Sequence, residues 1–309
     1  MTTVQTNAAA PNTTAGASAH ALGMGAALVV TMLCLSWGFN QVAVKLALPE
    51  LPPMLQATIR SIGGALVVAL AARLRGVPLF VRDGTLRVGL LIGVMFGFEF
   101  VMIYRGLMWT TASRAVVFLY AAPFFVVVGA RWLLKERLTN GQWGGLALSF
   151  LGVVLAIGVP QPDVDANVVL GDLMLLVAGV GWAGATLAVK ATRLARIAAE
   201  RTLAYQLVVS VPILGLASWA TGESVTAMPG PLALGSLAYQ ALWVVGITYL
   251  IWFQMVKTYS ASRLSAFTFM TPLFGVIAGH VVLGEPMTLV FAAAVALVLA
   301  GLVLVNRPG

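Results

Sequence analysis

Apolar and polar positions alternate along this chain in blocks rather than in stripes. Ten stretches of about 20 mostly apolar residues run at roughly 24–46, 54–73, 87–108, 114–134, 142–159, 169–190, 202–220, 233–256, 263–283 and 287–305. Crossing about 30 Å of hydrocarbon takes about 20 helical residues, and a helix satisfies its own backbone polar groups, so each stretch predicts a transmembrane helix. The connections are short. Residues 48–53 read Leu-Pro-Glu-Leu-Pro-Pro, a tight turn, and the longest connection, 160–168, is rich in Pro and Asp. None has room for a soluble domain, so the predicted fold class is an all-α integral membrane protein of ten transmembrane helices.

Composition agrees with this reading. The 309 residues are 60% hydrophobic and only 9% charged, which separates the chain from soluble proteins of its length. Its 18 Lys and Arg against 10 Asp and Glu give a charge of +8, but no basic run or basic-aromatic stripe is present, so no nucleic-acid partner is expected. The basic residues instead flank the apolar stretches, where they favour the cytoplasmic side of a bilayer. With both termini cytoplasmic, 14 of the 18 fall inside, among them Arg73, Arg82, Arg131, Lys135, Lys190, Arg193 and Arg307; the opposite topology leaves four inside. Cys34 is the single cysteine, which excludes an internal disulfide and a cysteine-based zinc site. Residues 1–21 carry neither Lys nor Arg, so they lack the charged start of a secretory signal and predict a disordered cytoplasmic tail.

One cassette occurs twice. Ser113-Arg114, Pro123, Glu136 and Gly152 recur as Ser262-Arg263, Pro272, Glu285 and Gly301, always 149 residues on, and 14 of the 45 positions in 113–157 match their counterparts in 262–306. Trp37 and Lys45 likewise match Trp182 and Lys190, 145 residues on. The chain therefore divides into a first repeat, 22–160 with helices 1–5, a periplasmic linker, 161–168, and a second repeat, 169–306 with helices 6–10. Five is an odd number, so the second repeat enters the membrane in the opposite sense to the first, the inverted plan on which many secondary transporters are built.

The ordered set Ala112-Ser113-Arg114, Pro123, Glu136 and Ala261-Ser262-Arg263, Pro272, Gly284-Glu285 resembles the EamA domain of the drug/metabolite transporter superfamily, twice over and across nearly the whole chain. The resemblance implies two inverted five-helix repeats around a central cavity, lined mainly by helices 3, 4, 8 and 9 with 1 and 6. It also implies a bacterial cytoplasmic (inner) membrane protein related to exporters of amino acids and similar metabolites. One departure is Lys135-Glu136, where the family usually has Gly-Glu, which leaves the form of that turn open.

Several residues stand out chemically. Glu99 is the one carboxylate near the middle of an apolar stretch, and a buried charge there needs pairing, solvation or protonation. It is a candidate ligand for a substrate ammonium or a proton acceptor; the plainer reading is an ion pair with Arg60 or Arg105. Its repeat counterpart is Thr248, so the charge breaks the symmetry. Pro123 and Pro272 withhold a backbone N–H from the carbonyls of Leu119 and Thr268, which makes these turns candidate hinges or gates, with Thr268 a candidate cavity contact. Trp37, Gln41 and Lys45 share a helix face, as do Trp182, Thr186 and Lys190. The Trp, Gln and Thr suit a cavity, while the lysines suit interfacial anchoring. Tyr120 and Trp243 are candidate aromatic contacts. Gly89, Gly93 and Gly97 mark a close helix contact, and Gly141 and Gly145 another, either within the chain or between two copies of it.

A catalytic reading lacks its parts: no grouped carboxylates, no metal cluster and no nucleophile beside a base. No phosphate-binding Gly-rich loop is present either, so direct ATP drive is excluded and no cofactor or metal is expected. The sequence thus predicts a secondary transporter, exporter or facilitator, for amino acids or related small metabolites, working by alternating access as a monomer in the lipid bilayer. The alternatives are a flippase for lipids or lipid-linked sugars, and a drug/proton antiporter.

Overall fold

The computed structural model describes residues 23–157, 165–286 and 291–306, all of whose regular structure is helical. The expected tail at 1–21, residues 158–164 and the start of the tenth stretch lie outside the described residues. Helices α1 (Met24–Ala47), α2 (Pro53–Leu74) and α3 (Leu86–Trp109) come first; α4 (Ala112–Leu119), α5 (Ala122–Leu133) and α6 (Asn140–Ile157) complete the first half. The second half holds α7 (Ala166–Ala191), α8 (Ala199–Ala220), α9 (Pro231–Ala238), α10 (Tyr249–Thr258), α11 (Ala261–Phe267), α12 (Met270–Leu283) and α13 (Phe291–Asn306). A short 3₁₀ turn, Arg193–Arg196, follows α7, and a π-helical segment, Tyr239–Thr248, joins α9 to α10. Among the described residues, seven helical stretches are long and apolar enough to cross a membrane. Large apolar side chains such as Leu66, Leu70, Phe98 and Val281 stand exposed along them, as a lipid-facing surface requires.

The predicted stretches and the observed helices differ chiefly at two places. The fourth and ninth stretches, predicted as continuous, are each broken: α4 ends at Leu119 and α5 resumes at Ala122, and α11 ends at Phe267 before α12 begins at Met270. Pro123 and Pro272 therefore sit in the first turn of a new helix, where a missing N–H costs little because no carbonyl of that helix awaits it. The Thr268 carbonyl, expected to lose its partner, accepts from the Thr271 N–H at 2.9 Å instead. The sixth stretch, predicted from 169, begins earlier, with α7 starting at Ala166 and the Asp165 carboxylate accepting from the Asn167 N–H at 2.8 Å as its cap.

The cassette residues turn out to tie the halves together. Glu285 accepts from the Ala112 and Ser113 N–H groups at 2.9 and 3.0 Å, so a carboxylate after α12 caps the start of α4. Glu136, after α5, accepts from the Ala261 and Ser262 N–H groups at 3.1 and 3.2 Å and from the Ser260 hydroxyl at 2.8 Å, capping α11. A negative group at a helix N-terminus satisfies open donors and meets the positive end of the helix dipole. The unusual Lys135 solves the turn without glycine: its φ is 59°, beside 68° for Gly284 at the matching position, so both carboxylates leave their helices through the same left-handed residue.

Packing follows the small residues. A Cβ placed on Gly89, Gly93 or Gly97 would lie 2.6, 2.5 or 2.8 Å from Tyr205, Val209 and Ile213 respectively, so this row lets α3 lie directly on α8. Gly145 meets Gly301 and Leu304 in the same way, placing α6 against α13 within the chain. Elsewhere α1 packs on α12, α5 on α7, and α2 on α8 and the π segment.

Candidate functional site

Where α1, α3, α4, α7, α8 and the α9–α10 column converge, they enclose a cavity of about 60 Å³. Its walls are aromatic. Trp37 lies edge-on to Trp252, Tyr249 and Trp182 at ring separations of 5.2, 6.1 and 6.2 Å. Trp182 meets Tyr120 at 5.3 Å, and Phe96 and Phe100 close the α3 side at 4.6 Å from each other. Trp37 and Trp182, matching positions of the repeated sequence, thus meet edge-on at the cavity. The Trp37 indole N–H donates to the Thr248 hydroxyl at 2.9 Å, and Thr248 is the repeat counterpart of Glu99.

Polar atoms without partners gather in this cavity. Glu99 Oε2, Asn40 Oδ1, Gln41 Oε1, Gln206 Oε1 and the Trp252 indole N–H are all buried and all lack a hydrogen bond. Buried polar groups are ordinarily satisfied, and each open one costs about 1–3 kcal/mol. Glu99 stands apart among the acids. Its ion pair with Arg60 or Arg105 does not form; the ion pairs among the described residues are Arg75–Glu200, Arg114–Asp172 and Arg201–Asp83. The remaining described carboxylates cap helices or turns: Glu50 accepts from the Gly230 N–H, Glu223 from Met54 and Leu55, Asp165 from Asn167, and Glu136 and Glu285 as above. Every other described acid has structural work, and Glu99 aims an open oxygen into the cavity.

Of the residues singled out from the sequence, the structure brings Trp37, Gln41, Glu99, Tyr120 and Trp182 together on this cavity. It places Thr186, Thr268 and Trp243 off its lining. Thr186 is buried one turn further along α7 than Trp182, toward Lys190. The Thr268 hydroxyl is fully buried and donates to the Ser265 carbonyl at 2.6 Å, closing the break before α12. Trp243 is 40% exposed, its indole N–H donating to the Ser36 hydroxyl at 2.9 Å. It lies six residues before Tyr249, a spacing that puts the two on different faces of a helix. Pro123 and Pro272 flank the cavity elements at the two helix breaks rather than lining it. Asn40, Gln206, Tyr249 and Trp252 also line the cavity without having been singled out. The signal for Asn40 and Gln206 was present, since an amide inside an apolar stretch is itself a reason to look there.

The EamA-like transporter family matches residues 24–158 and 169–307, one domain for each repeat. The chain belongs to the EamA-like transporter family. Among relatives of this EamA protein, an uncharacterized transporter of Bacillus subtilis (strain 168), YvbV, is 29% identical over 290 residues, covering 91% of each chain. A protein of Salmonella typhimurium named "Probable amino-acid metabolite efflux pump" is 27% identical over 293 residues, covering 91% of this chain and 93% of its own. A crystal structure superposes with a TM-score of 0.75 at 21% identity, over 91% of this chain and 97% of the other, which speaks to the fold. Family and named relatives are transporters rather than enzymes, and with its apolar helices this EamA protein is a multi-pass membrane transporter.

Proposed function

We propose that this EamA protein is a secondary transporter that carries amino acids or related small metabolites across the cytoplasmic membrane by alternating access, with the Glu99 cavity as its substrate site. The observation that carries this reading is the concentration of open buried polar atoms, headed by Glu99 Oε2, in one aromatic-walled cavity. An ammonium offers three donors and no acceptor, which suits a carboxylate with amide oxygens around it, and aromatic faces attract a cation further. Trp37, Gln41, Tyr120 and Trp182 are its companions in this reading. The relative named for amino-acid metabolite efflux points to the same substrate class.

Two features support alternating access. The cavity, at about 60 Å³, admits a few waters but not an amino acid, so a substrate reaches it when the surrounding helices part. The contacts between elements also come in exchanged pairs: α1 on α12 answers α7 on α5, and Glu285 on α4 answers Glu136 on α11. That pairing is what two equivalent five-helix repeats of opposite sense, ten helical columns in all, produce about an axis in the membrane plane, with Pro123 and Pro272 at the breaks where the bundles bend. Both termini then lie in the cytoplasm, and one chain encloses one route as a monomer.

Counterflow in proteoliposomes tests the function. Vesicles loaded with the twenty L-amino acids in turn are expected to accumulate at least one labelled amino acid by exchange. No exchange with any of them, together with movement of a labelled lipid, assigns the chain to the flippases instead.

A further inference from the structure

Beside the cavity lies a buried guanidinium with no ion-pair partner. Arg60, on α2, is fully buried. Its guanidinium is stacked 3.8 Å above the Phe100 ring, and one of its nitrogens donates to the Tyr249 hydroxyl at 3.3 Å. Stacking engages the flat face of the group and leaves its N–H donors, which lie in the plane, unused. Nε and Nη1 have no hydrogen bond. The polar groups around it are occupied with one another: the Tyr104 hydroxyl donates to Gln240 at 2.6 Å, the Gln240 amide donates to Gln56 at 2.9 Å, and Gln56 donates to the Leu51 carbonyl at 3.4 Å. A structural network thus runs past Arg60 without taking its donors.

The two groups share one wall. Glu99 is adjacent in sequence to Phe100, and Phe100 and Tyr249, the two side chains that hold the guanidinium, both line the Glu99 cavity. Arg60 and Glu99 interact through space, yet they form no ion pair. An acid and a base, both buried, both without an ion-pair partner and both set at one shared wall, match a ligand that carries a positive and a negative group on one carbon. We propose that Arg60 and Glu99 together bind a zwitterion, Arg60 taking the α-carboxylate of an amino acid through its free N–H donors while Glu99 takes the α-ammonium. Arg60 does not itself line the cavity, so in this proposal the Phe100 ring turns aside to admit the carboxylate, and the planar fork of Arg matches a carboxylate in a way that Lys does not. This inference rests on the reading of the Glu99 cavity as the amino-acid site, and it narrows that reading to substrates with a free carboxylate.

Equilibrium binding to the purified full-length protein tests it. The twenty L-amino acids are screened first, then the methyl ester and the N-acetyl derivative of one that binds; the ester lacks the negative charge and the acetyl derivative the positive one. The wild type is expected to bind the zwitterion more tightly than either derivative. Arg60→Gln is expected to weaken the zwitterion about ten- to a hundredfold while leaving the ester unchanged, and Arg60→Lys to recover part of the loss. Glu99→Gln is expected to weaken the zwitterion and the ester but not the acetyl derivative. Equal binding of zwitterion and ester by the wild type overturns the proposal without any variant having to fold, and so does an Arg60→Gln protein that loses both ligands alike. Either result leaves amino-acid transport standing, whereas a wild type that binds no amino acid removes the amino-acid reading of the cavity and this one with it.

Discussion

Single residues carry two consequences that separate cleanly. Lys135 holds a left-handed backbone conformation that costs an L side chain about 1–2 kcal/mol and costs glycine almost nothing, while Gly284 fills the matching turn. Lys135→Gly is therefore expected to raise stability by about 1 kcal/mol in a thermal melt of the detergent-solubilised protein, and Gly284→Ala to lower it by a similar amount. Transport should be unchanged in both, because neither residue lines the cavity. Glu99 predicts the reverse pattern. Removing its charge deprives the site of its acidic ligand, so Glu99→Gln should cut counterflow about tenfold or more while leaving the melt near that of the wild type. If transport is linked to protons, the pH profile of counterflow should also flatten in this variant, with Arg60, Tyr120 and Tyr249 the ionisable neighbours that remain. An unaltered profile would remove Glu99 as the proton acceptor.

At the scale of elements, the reciprocal carboxylate caps and the glycine row decide how helices meet. Burial pushes the Glu136 carboxyl up, but bonds from the Ser260 hydroxyl and from the Ser262 and Ala261 N–H groups outweigh it and hold the group below its ordinary value of 4.5. A carboxyl depressed by folding stabilises the folded state above its unfolded value, and that contribution fades as pH falls through the folded value. The melting midpoint should therefore be level above about pH 5 and drop below it, and Glu136→Ala should take away part of that acid-side drop. Glu136→Ala and Glu285→Ala each leave helix donors open and should cost about 1–3 kcal/mol. The two caps sit on different helices and share no partner, so the double variant should lose the sum. On the α3–α8 contact, Gly93→Leu drives a side chain into Val209 and the Tyr205 carbonyl, and should destabilise by about 1–3 kcal/mol, measured by the same melt. Gly144→Leu, at a position with nothing within 4 Å, serves as its neutral control.

For the whole molecule, the testable quantity is which compartment each connection faces. In the inverted plan, single cysteines introduced at 165 and 195 in a Cys34→Ser background should be labelled by an impermeant thiol reagent from opposite sides of the membrane. Labelling of both from one side would dismantle the two-repeat arrangement, and with it the basis for alternating access. Much of the architecture was legible beforehand. The apolar blocks, the repeat of Ser113-Arg114, Pro123 and Glu136 at 262, 272 and 285, and the solitary Glu99 are properties of the chain read along its length, because a bilayer imposes length and apolarity segment by segment. The inward faces were not legible in the same way. A helix bathed in lipid is apolar on every side, so periodicity does not distinguish Trp252, which lines the cavity, from Trp243, which does not. Nor does spacing reveal that Glu285 caps α4, 172 residues from Ser113, or that Arg60 stacks on Phe100 rather than pairing with Glu99. Sequence alone determined that this protein lies in a membrane as a duplicated helical transporter, since those traits are local or repeated along the chain. Tertiary structure alone decided which side chains surround the route and which charges stay open, since both depend on contacts between residues far apart in the chain that only packing brings together.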